Sequence, residues 1–340
     1  MPRTALCSQL GVEHPILSVG FGAGAGPELV AAVSNAGGLG VLGVSTLPPD
    51  EIRARVHRTR ELTDRPFGAN VILAGLEHPQ AAPLVEERIA TCIEERVPAL
   101  VFFWGDPSPF VEPAHRHGVQ VLIQVGSVEE ARTAAAAAVD AVIAQGAEAG
   151  GHVSSRTALS VLVPLVVDAI SPTPVLASGG IADGRGLAAA LALGAQGVSL
   201  GTRFVASDEA FAVGEYKRRL VASGPEDTVY GQVFDGGWPD APHRALRNRT
   251  VEEWEAAGRP PAGERPGEGT TIGTLDERWR QREIARYASF MLTPDFAGEL
   301  EHAPMWAGQS VGLVRDVKPA GEIVRELARE ADEVIARLCR

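Results

Sequence analysis

The sequence is poor in cysteine, in aromatic residues and in positive charge. Its three cysteines, Cys7, Cys92 and Cys339, lie far apart and form no Cys-x-x-Cys pair. An odd number at such spacing excludes a disulfide framework and a thiolate metal site, and a reduced, cytoplasmic setting is expected. Aromatic residues make up only 5% of the 340 positions, while glycine alone occurs 38 times. Small residues permit close packing of helices on a sheet. Basic residues number 31 against 43 acidic ones, a formal net charge of −12. That balance argues against a nucleic-acid or anionic-membrane partner, because both select clustered Lys and Arg. No apolar run approaches the roughly 18–20 residues of a membrane span. The opening MPRTALCSQLG lacks the apolar stretch of an export signal. His-Glu-x-x-His, Asp-x-Asp-x-Asp-Gly and Gly-x-Ser-x-Gly motifs are also missing, so a metal site or a serine nucleophile is not expected. At 45% hydrophobic and 22% charged, the chain is not disordered in bulk. Its length suits one large α/β barrel or two ordinary domains.

What is present is a rhythm. Short, continuously apolar runs occur at 15–19, 40–43, 68–73, 99–104, 119–125, 141–145, 174–177 and 197–200. Continuous rather than alternating runs predict parallel strands covered on both faces. Segments of helical period lie between them, at 27–35, 49–62, 84–95, 128–138, 159–170 and 184–193. Ser127 and Asp183 stand where helix caps are wanted. Eight strands with intervening helices predict a (β/α)8 TIM barrel, with a doubly wound sheet as the rival. After Arg203 the rhythm stops. The expected division is a barrel of residues 1–210 and 300–340 and a smaller, mostly helical lid or substrate subdomain of residues 211–299. Within the latter, Ala256–Gly269 reads as an exposed loop. An amphipathic helix is predicted over 322–338.

In such a barrel the loops that follow the strands form the active face. The first is Gly20-Phe21-Gly22-Ala23-Gly24-Ala25-Gly26. Its glycines allow close approach of a ligand, although a flexible loop explains them too. Gly38-Leu39-Gly40-Val41-Leu42-Gly43 runs into a strand, which is the wrong context for a dinucleotide fingerprint. Asn70 and Gln124 follow the third and fifth strands. The sixth is followed by Gln145-Gly146-Ala147-Glu148-Ala149-Gly150-Gly151-His152. Here the glycine pair can expose backbone N–H groups, and His152, with an ordinary pKa near neutrality, can act as a base. Capping of the loop is the plainer role for such a histidine. Glu148 is expected to orient the loop through backbone N–H groups. The seventh and eighth strands are followed by Ser178-Gly179-Gly180 and Gly201-Thr202, at the ordinals where barrels hold a phosphate. His115 and His117 do not face each other on their helix, and His14, His57, His78 and His302 lack metal-ligand companions. Trp238, Trp254 and Trp306 are available for an apolar wall in the lid.

Several segments, taken in order, resemble the nitronate monooxygenase family, formerly 2-nitropropane dioxygenase. They are Glu28-Leu29-Val30-Ala31-Ala32-Val33-Ser34-Asn35-Ala36-Gly37-Gly38-Leu39-Gly40, Glu148–His152, Ala177–Ile181, Gly194–Val198 and Ala307–Gly312. The same motifs occur in the related FMN-dependent enoyl-acyl-carrier-protein reductase. The resemblance implies an FMN-containing barrel with the flavin near Phe21, Gly22, Asn70 and Gln124. It puts the phosphate on Gly179, Gly180, Gly201 and Thr202, with Ser178 also counted among the cofactor-binding residues. Gly150 and Gly151 would line the flavin, Gln309 and Ser310 would reach it from the tail, and His152 matches the catalytic base. The implied reaction is oxidation of an alkyl nitronate, or of a nitroalkane, with O2 to a carbonyl compound and nitrite. An NAD(P)H-dependent FMN reductase acting on an enoyl thioester or quinone is the alternative, and a flavin-free phosphate-binding isomerase or lyase a third. The implied partners are a small-molecule substrate and O2, with a homodimer left open. Two departures stand out. Ser18-Val19-Gly20-Phe21 replaces the Gln-Ala-Pro-Met of many members, and Gln124 stands where some members carry Lys.

Overall fold

The computed structural model describes residues 3–339. A short helix, α1 (Ala5–Leu10), precedes the first strand, β1 (Ile16–Ser18). The chain then alternates through α2 (Pro27–Asn35), β2 (Gly40–Gly43), α3 (Pro49–Leu62), β3 (Phe67–Ile72), α4 (Ala82–Glu94), β4 (Ala99–Phe103), α5 (Ser108–Arg116), β5 (Gln120–Val125), α6 (Val128–Ala136) and β6 (Ala141–Gln145). A two-residue strand, β7 (Gly151–His152), interrupts the loop before α7 (Leu159–Ile170). The series ends with β8 (Val175–Ser178), α8 (Gly184–Ala192), β9 (Gly197–Leu200) and the single turn α9 (Thr202–Val205).

Eight of these strands form one parallel sheet in the order β1-β9-β8-β6-β5-β4-β3-β2. The two ends meet through a parallel bridge between Leu17 and Leu39, and Ser18 N donates to Leu39 O at 3.1 Å. Ser18 Oγ also accepts from Val41 N. The sheet is therefore a barrel, and the doubly wound rival falls. The apolar runs lie where predicted because both faces of each strand are covered, as the wholly buried Ala141–Gln145 shows. The expected caps are in place: Ser127 Oγ accepts from Glu130 N at 3.1 Å, and Asp183 Oδ1 accepts from Arg185 N at 3.0 Å.

One end of the barrel is plugged. Leu6, Cys7 and Leu10 of α1 pack against the inward residues Leu17, Val41, Val101, Leu122, Ile143 and Leu176. Gln196 secures the plug by accepting from Leu6 N through Oε1 at 3.1 Å. The sequence reading did not contain this helix, which is only six residues long. With the strand N-terminal end filled, the strand C-terminal end is left for a ligand.

Residues 211–299 depart from the mostly helical expectation. They contain α10 (Gly214–Ala222), β10 (Thr228–Gly231), β11 (His243–Leu246), α11 (Arg249–Ala256), β12 (Thr271–Glu277), β13 (Arg280–Ala285) and β14 (Phe296–Gly298). The strands form two small antiparallel sheets, β10-β11-β7 and β13-β12-β14. Stretches such as Arg280-Gln281-Arg282-Glu283 carry no apolar run. Such strands are held by their hairpin partners rather than by local pattern. The final helix, α12 (Ala320–Leu338), buries Ile323, Val324, Leu327 and Ala331 and lies against α8. A Cβ at Gly184 would overlap Glu330, so this crossing depends on glycine. No helix among the described residues is long and apolar enough to cross a membrane.

Candidate active site

The open end of the barrel leads into a cavity of about 510 Å³, a volume typical of small-molecule sites. Twelve of the residues predicted from sequence line it: Phe21, Gly22, Asn70, Gln124, Gly150, Gly151, His152, Ser178, Gly179, Gly201, Thr202 and Ser310. Gly180 and Gln309 do not. Gly180 continues the turn of Gly179, with φ of 68° and 106° respectively, and its Cβ direction faces Glu148. Gln309 is exposed, and its backbone N–H donates to Glu148 O at 2.9 Å. The chain turns as a 3-10 helix at this point, so Ser310 is buried while Gln309 points out.

The floor is polar. Ser18, Asn70, Gln145, Ser178 and Ser199, all buried, stand on the strands and line the cavity. Asn70 Nδ2 donates to Val101 O at 2.9 Å, which fixes the amide. Gln145 Nε2 donates to His152 O at 3.0 Å, but Gln145 Oε1 is buried without a partner. An orphaned acceptor of this kind costs about 1–3 kcal/mol unless a ligand N–H meets it. On one side of the cavity stands Arg88, whose Nε donates to Leu47 O at 2.9 Å. Burial and the nearby Arg280 push its pKa down.

His152 is carried into the site by backbone geometry. A Cβ at Gly150 would overlap the backbone of Ala307 and Gly308, whereas Gly151 has φ of 70° and open space where its Cβ would stand. Gly151 and His152 then pair with Arg244 and His243 of β11. Glu148 orients the loop as expected: its carboxylate accepts from Leu159 N at 3.0 Å. The imidazole lies 4.1 Å from the Trp238 ring and 5.3 Å from Trp306, centroid to centroid. Its Nε2 is 3.5 Å from Ser289 Oγ. Burial, helped by the neighbouring His243, pushes its pKa from 6.5 to about 3. The ordinary value expected from sequence is thus corrected: His152 is uncharged at neutral pH and is no cation for an anionic group.

Several residues at the site had escaped the sequence reading. His243, wholly buried, accepts from Phe234 N through Nε2 at 3.0 Å, so its Nδ1–H is left to donate to Ala241 O at 3.1 Å. The two bonds hold it neutral and tie down the root of the segment that bears Trp238. Arg265 does the same from within the stretch read as an exposed loop. Its side chain is 7% exposed, bonds Val233 O and Asp235 Oδ1, and lies over the Tyr287 ring. Of the three tryptophans considered for the lid, Trp238 and Trp306 line the cavity. Trp254 donates from Nε1 to Pro260 O and packs elsewhere. Only a histidine beside an arginine in an otherwise apolar strand, His243-Arg244-Ala245-Leu246, could have drawn attention to His243.

The family is decided by comparison over the whole chain. The sequence profile described as nitronate monooxygenase matches residues 3–330. The chain belongs to the nitronate monooxygenase family. It is therefore an oxidoreductase by family. A curated relative from Rhodococcus jostii, (3aS,4S,5R,7aS)-5-hydroxy-7a-methyl-1-oxo-octahydro-1H-indene-4-carboxyl-CoA dehydrogenase, is 34% identical over 97% of this chain and 96% of its own. FabK from Thermotoga maritima, a solved structure, is 33% identical with a TM-score of 0.80, covering 99% of both chains. A nitroalkane oxidase from Streptomyces ansochromogenes is 30% identical with a TM-score of 0.78, covering 98% of this chain and 100% of its own.

Proposed function

We propose that the protein is an FMN-dependent enzyme that oxidises alkyl nitronates, and nitroalkanes through their nitronates, with O2 to a carbonyl compound and nitrite. The observation that carries this reading is the His152 imidazole, set against Trp238 and Trp306 in the same cavity that the strand-end glycines Gly179 and Gly201 line. The residues present fit FMN. Gly179, Gly201 and Thr202 lie where a barrel holds phosphate, and the orphaned Gln145 Oε1, with Asn70 and Gln124, offers polar partners for a flavin edge. When bound, FMN supplies the electron transfer between the substrate and O2. The chain supplies the rest. His152 accepts the α-proton of a neutral nitroalkane, Trp238 and Trp306 exclude water, and residues 211–299 act as the lid and substrate subdomain.

Arg88 favours a second reading. Its Nη atoms have no carboxylate hydrogen-bond partner among the described residues, and the charges that act on it are Arg280 and Glu87, of opposite sign. An anionic carrier would satisfy it, as in an NAD(P)H-dependent FMN reductase acting on an enoyl thioester; the curated CoA dehydrogenase is in keeping with this. The visible spectrum of the purified protein, recorded without O2, separates the readings. A flavin spectrum that changes on adding ethyl nitronate supports nitronate oxidation. A spectrum unmoved by nitronate but bleached by NADPH transfers the case to the reductase, and a colourless protein that takes up no FMN overturns both.

Gln124 gives a graded test. It lines the cavity and brings no charge. Q124K should raise the reduction potential of the bound flavin, because a cation favours the anionic reduced ring. An unchanged potential would remove Gln124 from the flavin's surroundings.

A further inference from the structure

Aromatic side chains are scarce in this chain, yet they converge on one place. Of five tryptophans, three stand in ring contact with His152: Trp238 at 4.1 Å, Trp306 at 5.3 Å and Trp104 at 6.5 Å. Trp104 backs Trp238 edge-on at 5.3 Å, and Phe103 meets both. Phe103, Phe290, Trp238 and Trp306 line the cavity itself. The wall comes from unrelated parts of the chain, so no single local fold explains it.

The wall is also held firmly. Trp306 Nε1 donates to Phe290 O at 2.9 Å. The root of the Trp238 segment is pinned by Arg265, by the Phe234–His243 bond and by Gly236, whose N donates to Tyr287 O at 2.9 Å. A Cβ at Gly236 would crowd Tyr287 and Ala288. Fixed aromatic faces reward flat ligands: offset or edge contacts add about 0.5–1.5 kcal/mol beyond area burial. A small, flexible alkyl group collects only the area part.

We propose that the substrate carries a flat apolar ring next to the reacting carbon, and that this ring packs on the wall formed by Trp238, Phe103 and Trp306, beside His152. This deepens the reading above and rests on it for the reacting group alone.

The test compares two nitronates of equal carbon count, one from phenylnitroethane and one from nitrooctane, on the flavin-loaded enzyme. The ring compound should show a kcat/KM higher by about tenfold. W238L keeps apolar bulk and should erase most of that ratio through KM, with flavin content unchanged. A ratio near one in the native enzyme, or a ratio untouched in W238L, overturns the proposal. If W238L instead lowers flavin content and leaves the ratio intact, Trp238 serves the cofactor and the proposal falls. Quenching of tryptophan fluorescence by benzoate and by hexanoate needs no turnover. Tighter binding of benzoate, lost in W238L, supports the ring site even if no nitronate is oxidised. Oxidation of both nitronates with equal binding of the two acids sinks the ring site and leaves the nitronate reading standing.

Discussion

Replacing His152 with Asn should lower kcat/KM for a neutral nitroalkane by about a hundredfold or more and lower that for the preformed nitronate far less. Asparagine retains a similar size and a hydrogen-bonding group but cannot take a proton. The nitronate has already lost its α-proton, so it does not need the base. The low basicity of His152, with a pKa of about 3, does not forbid the role. Proton transfer creates an imidazolium beside a nitronate anion, and an opposite charge in a dry site favours the charged form of both. A free imidazole of ordinary pKa would lose activity on acidification through about pH 6.5. His152 should show no such limb between about pH 5 and pH 7 with a nitroalkane that stays neutral over that range. Steady-state rates for the two substrates with both enzymes check this; equal losses in H152N contradict a base.

Acid should weaken the fold through the same residue. His152 binds its proton near pH 6.5 when unfolded but only near pH 3 when folded. Between those values the unfolded chain holds the extra proton, so stability is complete above about 6.5 and falls as pH drops towards 3. The slope is about 1.4 kcal/mol for each pH unit per fully shifted group. His243, whose pKa burial also lowers, acts with the same sign. Urea unfolding of the protein at about pH 7 and about pH 5 should therefore show a marked loss at the lower value. H152N should lose less over the same interval. An identical pH dependence in the variant would mean that water reaches the imidazole and leaves its pKa ordinary.

The barrel was legible because its signal is local and strong. Runs such as Ala99–Phe103 and Ala141–Gln145 are apolar on both faces, and each recurs after a helix with a recognisable start. The strand-end glycines were legible for the same reason, since position along the rhythm fixes which end of the barrel they occupy. The neutral state of His152 was not, because its pKa is set by Trp238, Trp306 and His243, which are 86, 154 and 91 positions away in the sequence. The small sheets of 211–299 were hidden by the charge of β13 and the shortness of β10, β11 and β14, since each becomes a strand only beside its partner. Arg265 sits in a Gly- and Pro-rich stretch that is mostly exposed, and composition gives no hint that one of its side chains is buried. Gln309 and Ser310 are adjacent, and only the tight turn decides which of them faces inward.

His152 belongs to β7, and β7 pairs with β11, within residues 211–299, rather than with any barrel strand. A chimera that exchanged residues 211–299 with those of a relative would therefore bring in a new edge for His152 as well as a new neighbour in place of Trp238. Under the proposed function, selectivity and chemistry are inherited together in this architecture. Under the same reading, a lineage that remodels residues 211–299 must re-tune His152 in the same step, while the barrel beneath can stay as it is.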